Sequence, residues 1–204
     1  QPSQHVILAL ASYKALNSHD WCHSLVVEDE IREVFIRQVE ELQKEEYLKP
    51  NIPVLEEVTD KVSSKVREQY EESPYPRWVN LGLPLKPKSI SQVATELRLK
   101  LHDGKRNEVE KPEILIAGCG TGQQSIETAS RFRSSKVLAI DLSLSSLAYA
   151  KRKTEELSIE NIEYMQADIL DLGRLDKKFD IIESVGVLHH MDNPMAGWQA
   201  LRDC

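Results

Sequence analysis

Five consecutive residues, Gly118-Cys119-Gly120-Thr121-Gly122, hold three of the eight glycines in this 204-residue chain. Glycine takes positive φ without a Cβ penalty and lets a ligand approach bare backbone. Such a turn serves either a bound ligand or only a tight bend. Asp141 stands 23 residues beyond Gly118, at the end of the run Lys136 to Ile140. In an open α/β sheet, a carboxylate at the carboxyl end of the next strand is where a ribose is gripped. The glycine turn and Asp141 together point to a ligand that carries a nucleoside. Counted from Gly118, Gln123 stands where the dinucleotide fingerprint requires its last glycine, so the spacing is G-x-G-x-G. A pyrophosphate needs the helix N-terminus that this fingerprint presents. A nucleoside without phosphates fits the looser turn.

The remaining candidates have two readings each. Asp168 comes after a third apolar run and is either a ligand contact or a turn residue, since Asp favours such sites. His189 and His190 lie near Asp192. Adjacent side chains diverge on a strand and sit about 100° apart on a helix, so no metal site is expected there. One of the two histidines could serve as a base or hydrogen-bond donor near a substrate. Cys119, flanked by glycines, reads as a small spacer rather than a nucleophile. Tyr70, Tyr75, Arg77 and Trp78 lie around Pro74 and Pro76, which hold the segment in an extended or turn conformation. They form either a lid over the ligand pocket or a clamp packed on the sheet domain.

These residues need elements to position them. From residue 111 onward, strands and helices alternate. Strands are expected at Glu113–Ala117, Lys136–Ile140, Ile162–Gln166 and Phe179–Val185, with helices over Gln123–Phe132 and Leu144–Leu157, the latter capped by Ser143. This alternation predicts an α/β fold with a parallel sheet and right-handed crossovers. Residues 1–110 predict a helical N-terminal region. Ile31, Val34, Phe35, Val39 and Leu42 recur on one helix face until Pro50 and Pro53 end it. Leu55, Val58, Val62 and Val66 predict a second helix closed by Tyr70, and Ile90 to Leu101 a short third one. His102 to Lys111 reads as a polar loop, with a domain boundary near residue 110.

Composition narrows the function classes. The chain is 41% apolar and 29% charged, which is ordinary for a globular protein. Its net charge of −7 disfavours sequence-independent nucleic-acid binding, which rests on basic side chains. Cys22, Cys119 and Cys204 have no CxxC spacing and leave one unpaired, which fits a reducing cytoplasm. The longest apolar run near the start, Val6 to Ala11, is far short of the roughly 20 residues of a membrane span. No basic segment precedes it, so neither membrane insertion nor a signal peptide is expected. The first residue is Gln, and further chain is expected upstream.

The stretch Ile114 to Gly122 resembles the first motif of the Rossmann-like (class I) S-adenosylmethionine-dependent methyltransferases. Ala139-Ile140-Asp141-Leu142-Ser143 resembles their acidic second-strand motif, and Gln166 to Leu170 their adenine-contacting motif. Phe179 to Ile182, with Gly186 to Met191 after it, resembles their fourth strand and its exit loop. Gln69 to Trp78 is similar to a bacterial subgroup associated with tetratricopeptide repeats, although no such repeat occurs in this chain. The resemblance implies a Rossmann-like sheet of seven strands, so three further strands are expected beyond Cys204. It also implies S-adenosylmethionine as cofactor and a small molecule or protein as methyl acceptor. Gly118 to Gly122 would hold the methionine part and Asp141 the ribose hydroxyls. Leu142 and Ile169 would flank the adenine, and Asp168 would accept from its amine. Glu183, Ser184 and the residues up to Leu188 would line the methyl end. Ile116 departs from the pattern, since many members carry an acid there. No Asn/Asp-Pro-Pro-Tyr follows the fourth strand and no Pro-Cys dipeptide occurs, which disfavours adenine, glutamine and cytosine C5 as acceptors. A non-catalytic binding module, or a nicotinamide-dependent oxidoreductase with Gln123 against it, are the alternatives.

Overall fold

A computed structural model describes residues 2–84, 86–99 and 109–204. The chain divides into two compact units, residues 1–48 and 49–204. The first is helical. It holds α1 (Gln4–Tyr13), two 3-10 turns, α2 (Asp29–Phe35), a π-helical segment (Ile36–Glu40) and α3 (Glu41–Leu48). Ile7, Leu16, Cys22, Ile31 and Val39 form its core. The expected single apolar face is interrupted by the π turn, whose extra residue rotates α3 relative to α2. Ile36 is therefore exposed, Leu42 is half-buried, and Glu45 and Leu48 take the buried positions. Gln38 of the π turn fastens the segment. Its Oε1 accepts from the Leu16 N–H at 2.9 Å and its Nε2 donates to the Ala11 carbonyl at 3.2 Å.

The second unit begins with a 3-10 turn at Lys49–Asn51, where Pro50 ends the helical run. Next comes α4 (Lys61–Glu72). Asp60 starts it as N-cap, accepting from the Val62 and Ser63 N–H groups at 2.9 and 2.8 Å. The N–H of Ser63 is the main reason its carboxyl lies below the usual range. Leu55 and Val58, expected on this helix, precede it. The short α5 (Ile90–Glu96) opens with a reciprocal cap between Ser89 and Gln92 and closes at Leu97, ahead of Arg98 in the left-handed region. The expected helix runs on to Leu101, but Leu97 to Leu99 already leave it; residues 100 and 101 and most of the polar loop 102–111 lie outside the described residues.

The sheet then forms. In chain order come β1 (Glu113–Ala117), α6 (Gln123–Arg131), β2 (Lys136–Asp141), α7 (Leu144–Glu156), β3 (Ile162–Gln166), β4 (Ile181–Glu183) and α8 (Pro194–Arg202). The strands are parallel in the order β3-β2-β1-β4. Ile114 to Ala117 and Val137 to Ile140 are all buried, as strands covered on both faces must be. Residues 53–55 run along the end of β3. There the Leu55 N–H donates to the Gln166 carbonyl at 2.9 Å, and the Gln166 N–H to that of Pro53 at 2.8 Å. This pairing is why Leu55 is not helical. β4 is shorter than the run Phe179–Val185 predicts. It pairs with β1 only from Ile114 to Ile116, and Gly186, at φ +70°, turns the chain away. Residues 49–99 thus fold in the same unit as the sheet, and the strand–helix alternation starts after residue 111. Among the described residues no helix is long and apolar enough to cross a membrane.

Candidate functional site

The chain runs outward from β1 to β3 on one side and places β4 on the other, so the order reverses beside β1. A crevice opens at the carboxyl ends of strands at such a reversal, and ligands bind there. A cavity of about 590 Å³ occupies this place, within the size range of small-molecule sites. The glycine loop, Asp141, Leu142, Asp168 and Ile169 line one side, and Ser63, Val66, Tyr70 and Tyr75 another.

The loop begins where β1 ends. The Gly118 and Cys119 N–H groups both donate to the Ile140 carbonyl, at 2.8 and 2.9 Å, which draws the loop over β2. Gly118, Gly120 and Gly122 have φ of +78°, +52° and +85°. A Cβ on Gly118 would lie 2.3 Å from Cγ2 of Val187, and one on Gly122 2.5 Å from Cβ of Ala150. At Gly120 the nearest atom is the Tyr75 carbonyl oxygen, at 3.5 Å. Packing against the protein therefore demands the outer two glycines, while the middle one leaves bare backbone toward the cavity. Gly122 does not line the cavity; it is the N-cap of α6.

Asp141 is the centre of the site. Its Oδ2 accepts the Gly120 N–H at 2.7 Å and its Oδ1 the Ser143 N–H at 3.0 Å. A carboxylate oxygen has two acceptor sites, so each retains one for a ligand hydroxyl. Burial raises the carboxyl pKa above its usual value, the Ser143 and Gly120 N–H groups oppose the rise, and the Glu71 charge adds to it. A carboxyl raised by folding contributes stability that is complete below its unfolded pKa and fades as pH rises through the folded one. Thermal denaturation from pH 7 down to pH 4 is thus expected to show the unliganded wild type gaining stability relative to Asp141→Ala. A pH-independent difference would contradict this account of the buried carboxylate.

Cys119 is buried, and desolvation first, then the nearby Asp141 charge, pushes its thiol well above the ordinary range. It is a poor nucleophile at neutral pH. Thr121, 1% exposed, spends its hydroxyl on the Pro76 carbonyl at 2.6 Å and its own carbonyl on Trp78 Nε1 at 3.1 Å. Asp168 lies on the cavity wall and also caps the following 3-10 turn, accepting the Leu170 N–H at 3.0 Å. The turn reading of Asp168 is therefore met, by a residue that also faces the cavity.

Several expected residues lie elsewhere. Glu183 is off the cavity; its Oε2 accepts from Gln124 Nε2 and Thr128 Oγ1, both at 2.8 Å. The hydroxyl of Ser184 is buried without a partner and is also off the wall. Val185, Gly186 and Val187 line that side instead. His190 is on the wall and His189 is not, although their rings lie 4.0 Å apart. Tyr70 and Tyr75 are wall residues, whereas Arg77 sits 5.0 Å from the Tyr149 ring and Trp78 packs edge-on against it at 6.1 Å. Among the described residues no group of three His, Cys, Asp or Glu could hold a metal.

Sequence reasoning missed Ser63, Val66, Gln124, Glu127 and Ser146, all of which line the cavity. Gln124 and Glu127 carry a readable signal, since they occupy the first turns of the helix after the glycine loop. Ser146 carries none. Its hydroxyl, buried and without a partner in the protein, leaves a polar atom unsatisfied beside the cavity. The bare Gly120, the free acceptor sites of Asp141 and this orphaned hydroxyl suit a ligand with a sugar and a polar base.

Comparison with known proteins agrees with this geometry. Residues 114–204 match the sequence family described as a methyltransferase domain. A release factor glutamine methyltransferase of Fusobacterium nucleatum is 32% identical over 116 residues, covering 52% of this chain and 31% of that protein. An uncharacterized Synechococcus protein is 36% identical over 99 residues, covering 48% of this chain and 24% of its own length. The chain thus spans about a quarter to a third of these relatives. In three dimensions it is similar to the magnesium protoporphyrin IX methyltransferase of Synechocystis PCC 6803, solved with bound S-adenosylmethionine. The TM-score is 0.50 at 21% identity, covering 72% of this chain and 74% of that one, a likeness of fold. Residues 114–204 thus match a methyltransferase domain in sequence, on a Rossmann-like parallel sheet shared with that methyltransferase fold.

Proposed function

We propose that this chain carries the cofactor site of an enzyme that moves a methyl group from S-adenosylmethionine to an acceptor. The carrying observation is Asp141, held by the Gly120 and Ser143 N–H groups with acceptor sites to spare at the switch point of the sheet. In this reading Asp141 accepts from the ribose hydroxyls. Leu142 and Ile169 flank the adenine, and Asp168 accepts from its amine with the oxygen capacity left after capping. The backbone at Gly118 to Thr121 meets the methionine part, with Gln124 beside it. Glu183, held by α6, supports that side without touching the ligand, and Ser184 stands behind the wall.

When bound, the cofactor supplies an electrophilic methyl on a sulfonium. The chain's own residues then align an acceptor and exclude water, an effect that can be worth roughly 7–11 kcal/mol. An acceptor that must lose a proton needs a base, and His190 is the histidine on the wall. Replacing it, as in His190→Ala, is expected to lower kcat about 100-fold for a hydroxyl acceptor, with S-adenosylhomocysteine affinity little changed. Equal turnover would remove His190 from the chemistry.

The acceptor is a small molecule or a protein side chain. Ser184-Val185-Gly186-Val187 follows β4 in place of an Asn/Asp-Pro-Pro-Tyr, which disfavours glutamine even though one relative is named for that substrate. The Gln69 to Trp78 segment supports the subgroup associated with tetratricopeptide repeats, and the cysteine pattern supports a cytoplasmic setting. Calorimetry of the full-length protein with S-adenosylhomocysteine and with NAD tests the assignment. Binding of the first is the expected result. Binding of NAD alone would make it an oxidoreductase, and binding of neither an interaction module.

A further inference from the structure

Residues 60–79 precede the matched methyltransferase domain, yet they are fastened to its cofactor site at two points. On one side, Glu71 of α4 reaches the N-terminus of α7. Its Oε2 accepts from Ser143 Oγ at 2.7 Å and from the Ser145 N–H at 2.9 Å. The Ser143 hydroxyl in turn accepts the Ser146 N–H at 3.0 Å, so Glu71 and Ser143 cap α7 together. An ionised acceptor at a helix N-terminus makes stronger hydrogen bonds than a neutral one. The same Ser143 donates its N–H to Asp141 Oδ1.

On the other side, Trp78 and Pro76 clasp Thr121. Trp78 Nε1 donates to the Thr121 carbonyl at 3.1 Å, and Thr121 Oγ1 donates to the Pro76 carbonyl at 2.6 Å. Trp78 and Thr121 are buried. Trp78 is itself anchored, since its carbonyl accepts from the Tyr149 hydroxyl and the next carbonyl, of Val79, accepts from Lys153 Nζ at 3.2 Å. Thr121 directly follows Gly120, whose N–H is the donor to Asp141 Oδ2. Each oxygen of Asp141 is thus held by a backbone turn, and each turn is held by the same preceding segment.

We propose that Glu71 and Trp78 are positioning residues for the nucleoside site: acting through Ser143 and Thr121, they fix the two N–H donors that aim the Asp141 carboxylate. Neither needs to touch a ligand. The inference rests on the proposed cofactor reading only for what Asp141 binds; the fixing of the two donors stands apart from it.

The test uses the complete protein with Glu71→Gln, Trp78→Phe, Thr121→Val and Thr121→Ser, and reads two quantities. The first is amide hydrogen exchange without ligand. Trp78→Phe and Thr121→Val are expected to speed exchange at Gly120, and Glu71→Gln at Ser143 and Ser145, with Ile114 to Ile116 of β1 unchanged. Thr121→Ser keeps the hydroxyl and is expected to exchange like wild type. The second is S-adenosylhomocysteine affinity, expected to fall about tenfold in the first three variants, the loss of roughly one hydrogen bond. In turnover, Glu71→Gln and Trp78→Phe raise the KM for the cofactor while kcat at saturation holds. Unchanged exchange at Gly120 and Ser143 would overturn the proposal, as would faster exchange with undiminished affinity in a wild type that binds. If Trp78→Phe loses the whole fold, the Thr121→Val and Thr121→Ser pair decides by the same readouts. Faster exchange in these variants, with a wild type that binds no S-adenosylhomocysteine, would uphold the positioning role and refute the cofactor reading.

Discussion

Asp141→Ala is expected to weaken S-adenosylhomocysteine binding by at least 100-fold. In the proposed site Asp141 offers two acceptor sites to the ribose hydroxyls, and hydrogen bonds to a charged group are worth about 1.5–3 kcal/mol each. Losing both costs on the order of 3–6 kcal/mol, where every 1.4 kcal/mol is tenfold. The loss is compounded locally. Gly120 and Ser143 give their N–H groups to this carboxylate and lose their acceptor with it. Burial of a carboxylate raised in pKa also carries a penalty that alanine removes, so the unliganded fold is affected less than the affinity. Calorimetry and thermal denaturation of the same variant separate the two effects. An unchanged dissociation constant would take Asp141 out of the site.

Gly122→Ala is expected to produce the largest loss of stability among the loop substitutions. Two costs add. A left-handed backbone, here φ +85°, costs a residue with a Cβ about 1–2 kcal/mol. The new Cβ would also meet Ala150 Cβ at 2.5 Å and Cα at 3.0 Å, with the Tyr164 hydroxyl at 3.2 Å. Ala150 belongs to α7, whose backbone is pinned to β2 and β3, so the helix must move rather than a side chain rotate. Overpacking of this kind costs a further 1–3 kcal/mol or so. A total of about 3 kcal/mol lowers Tm by roughly 10 °C in a chain of this size. Gly118→Ala meets only Val187 side-chain atoms, so part of its strain can relax. Gly173→Ala is the control, since nothing lies within 4 Å of its added Cβ. If Gly122→Ala melts with Gly173→Ala, the close approach of α7 to the loop is wrong.

The α/β half of the molecule was readable because each of its signals is local. Ile114 to Ala117 and Val137 to Ile140 are short continuous apolar runs ending at turn residues, the pattern of a strand buried on both faces. Ser143 caps α7 as its sequence position suggests. Other features depend on contacts made far along the chain. The apolar spacing at Leu55 and Val58 suits a helix, but β3 has a free edge near Gln166, and backbone pairing with it outweighs the helical pattern. The π turn at Ile36–Glu40 lets Gln38 bond both Leu16 and Ala11, a gain visible only once α1 has docked. Glu183 has the composition of a ligand contact, but α6 offers it two donors, and a half-buried carboxylate takes the partners nearest to it. His189 and His190 are equivalent in sequence and differ only because the 3-10 turn at Leu188–His190 sends one ring to the cavity.

The order of glycines, the carboxylate after β2 and the strand–helix rhythm determined the class of fold and motivate the proposed kind of ligand, because backbone conformation and burial are written in residue type and spacing. Tertiary structure alone decided which side chains share the cavity. It brought α4 and Tyr75 to the wall, turned Trp78 inward to hold Thr121, and tied Glu71 to the turn after Asp141. Those contacts join residues that are distant in the chain. Packing selects them from many alternatives of similar chemistry, so no local pattern announces them.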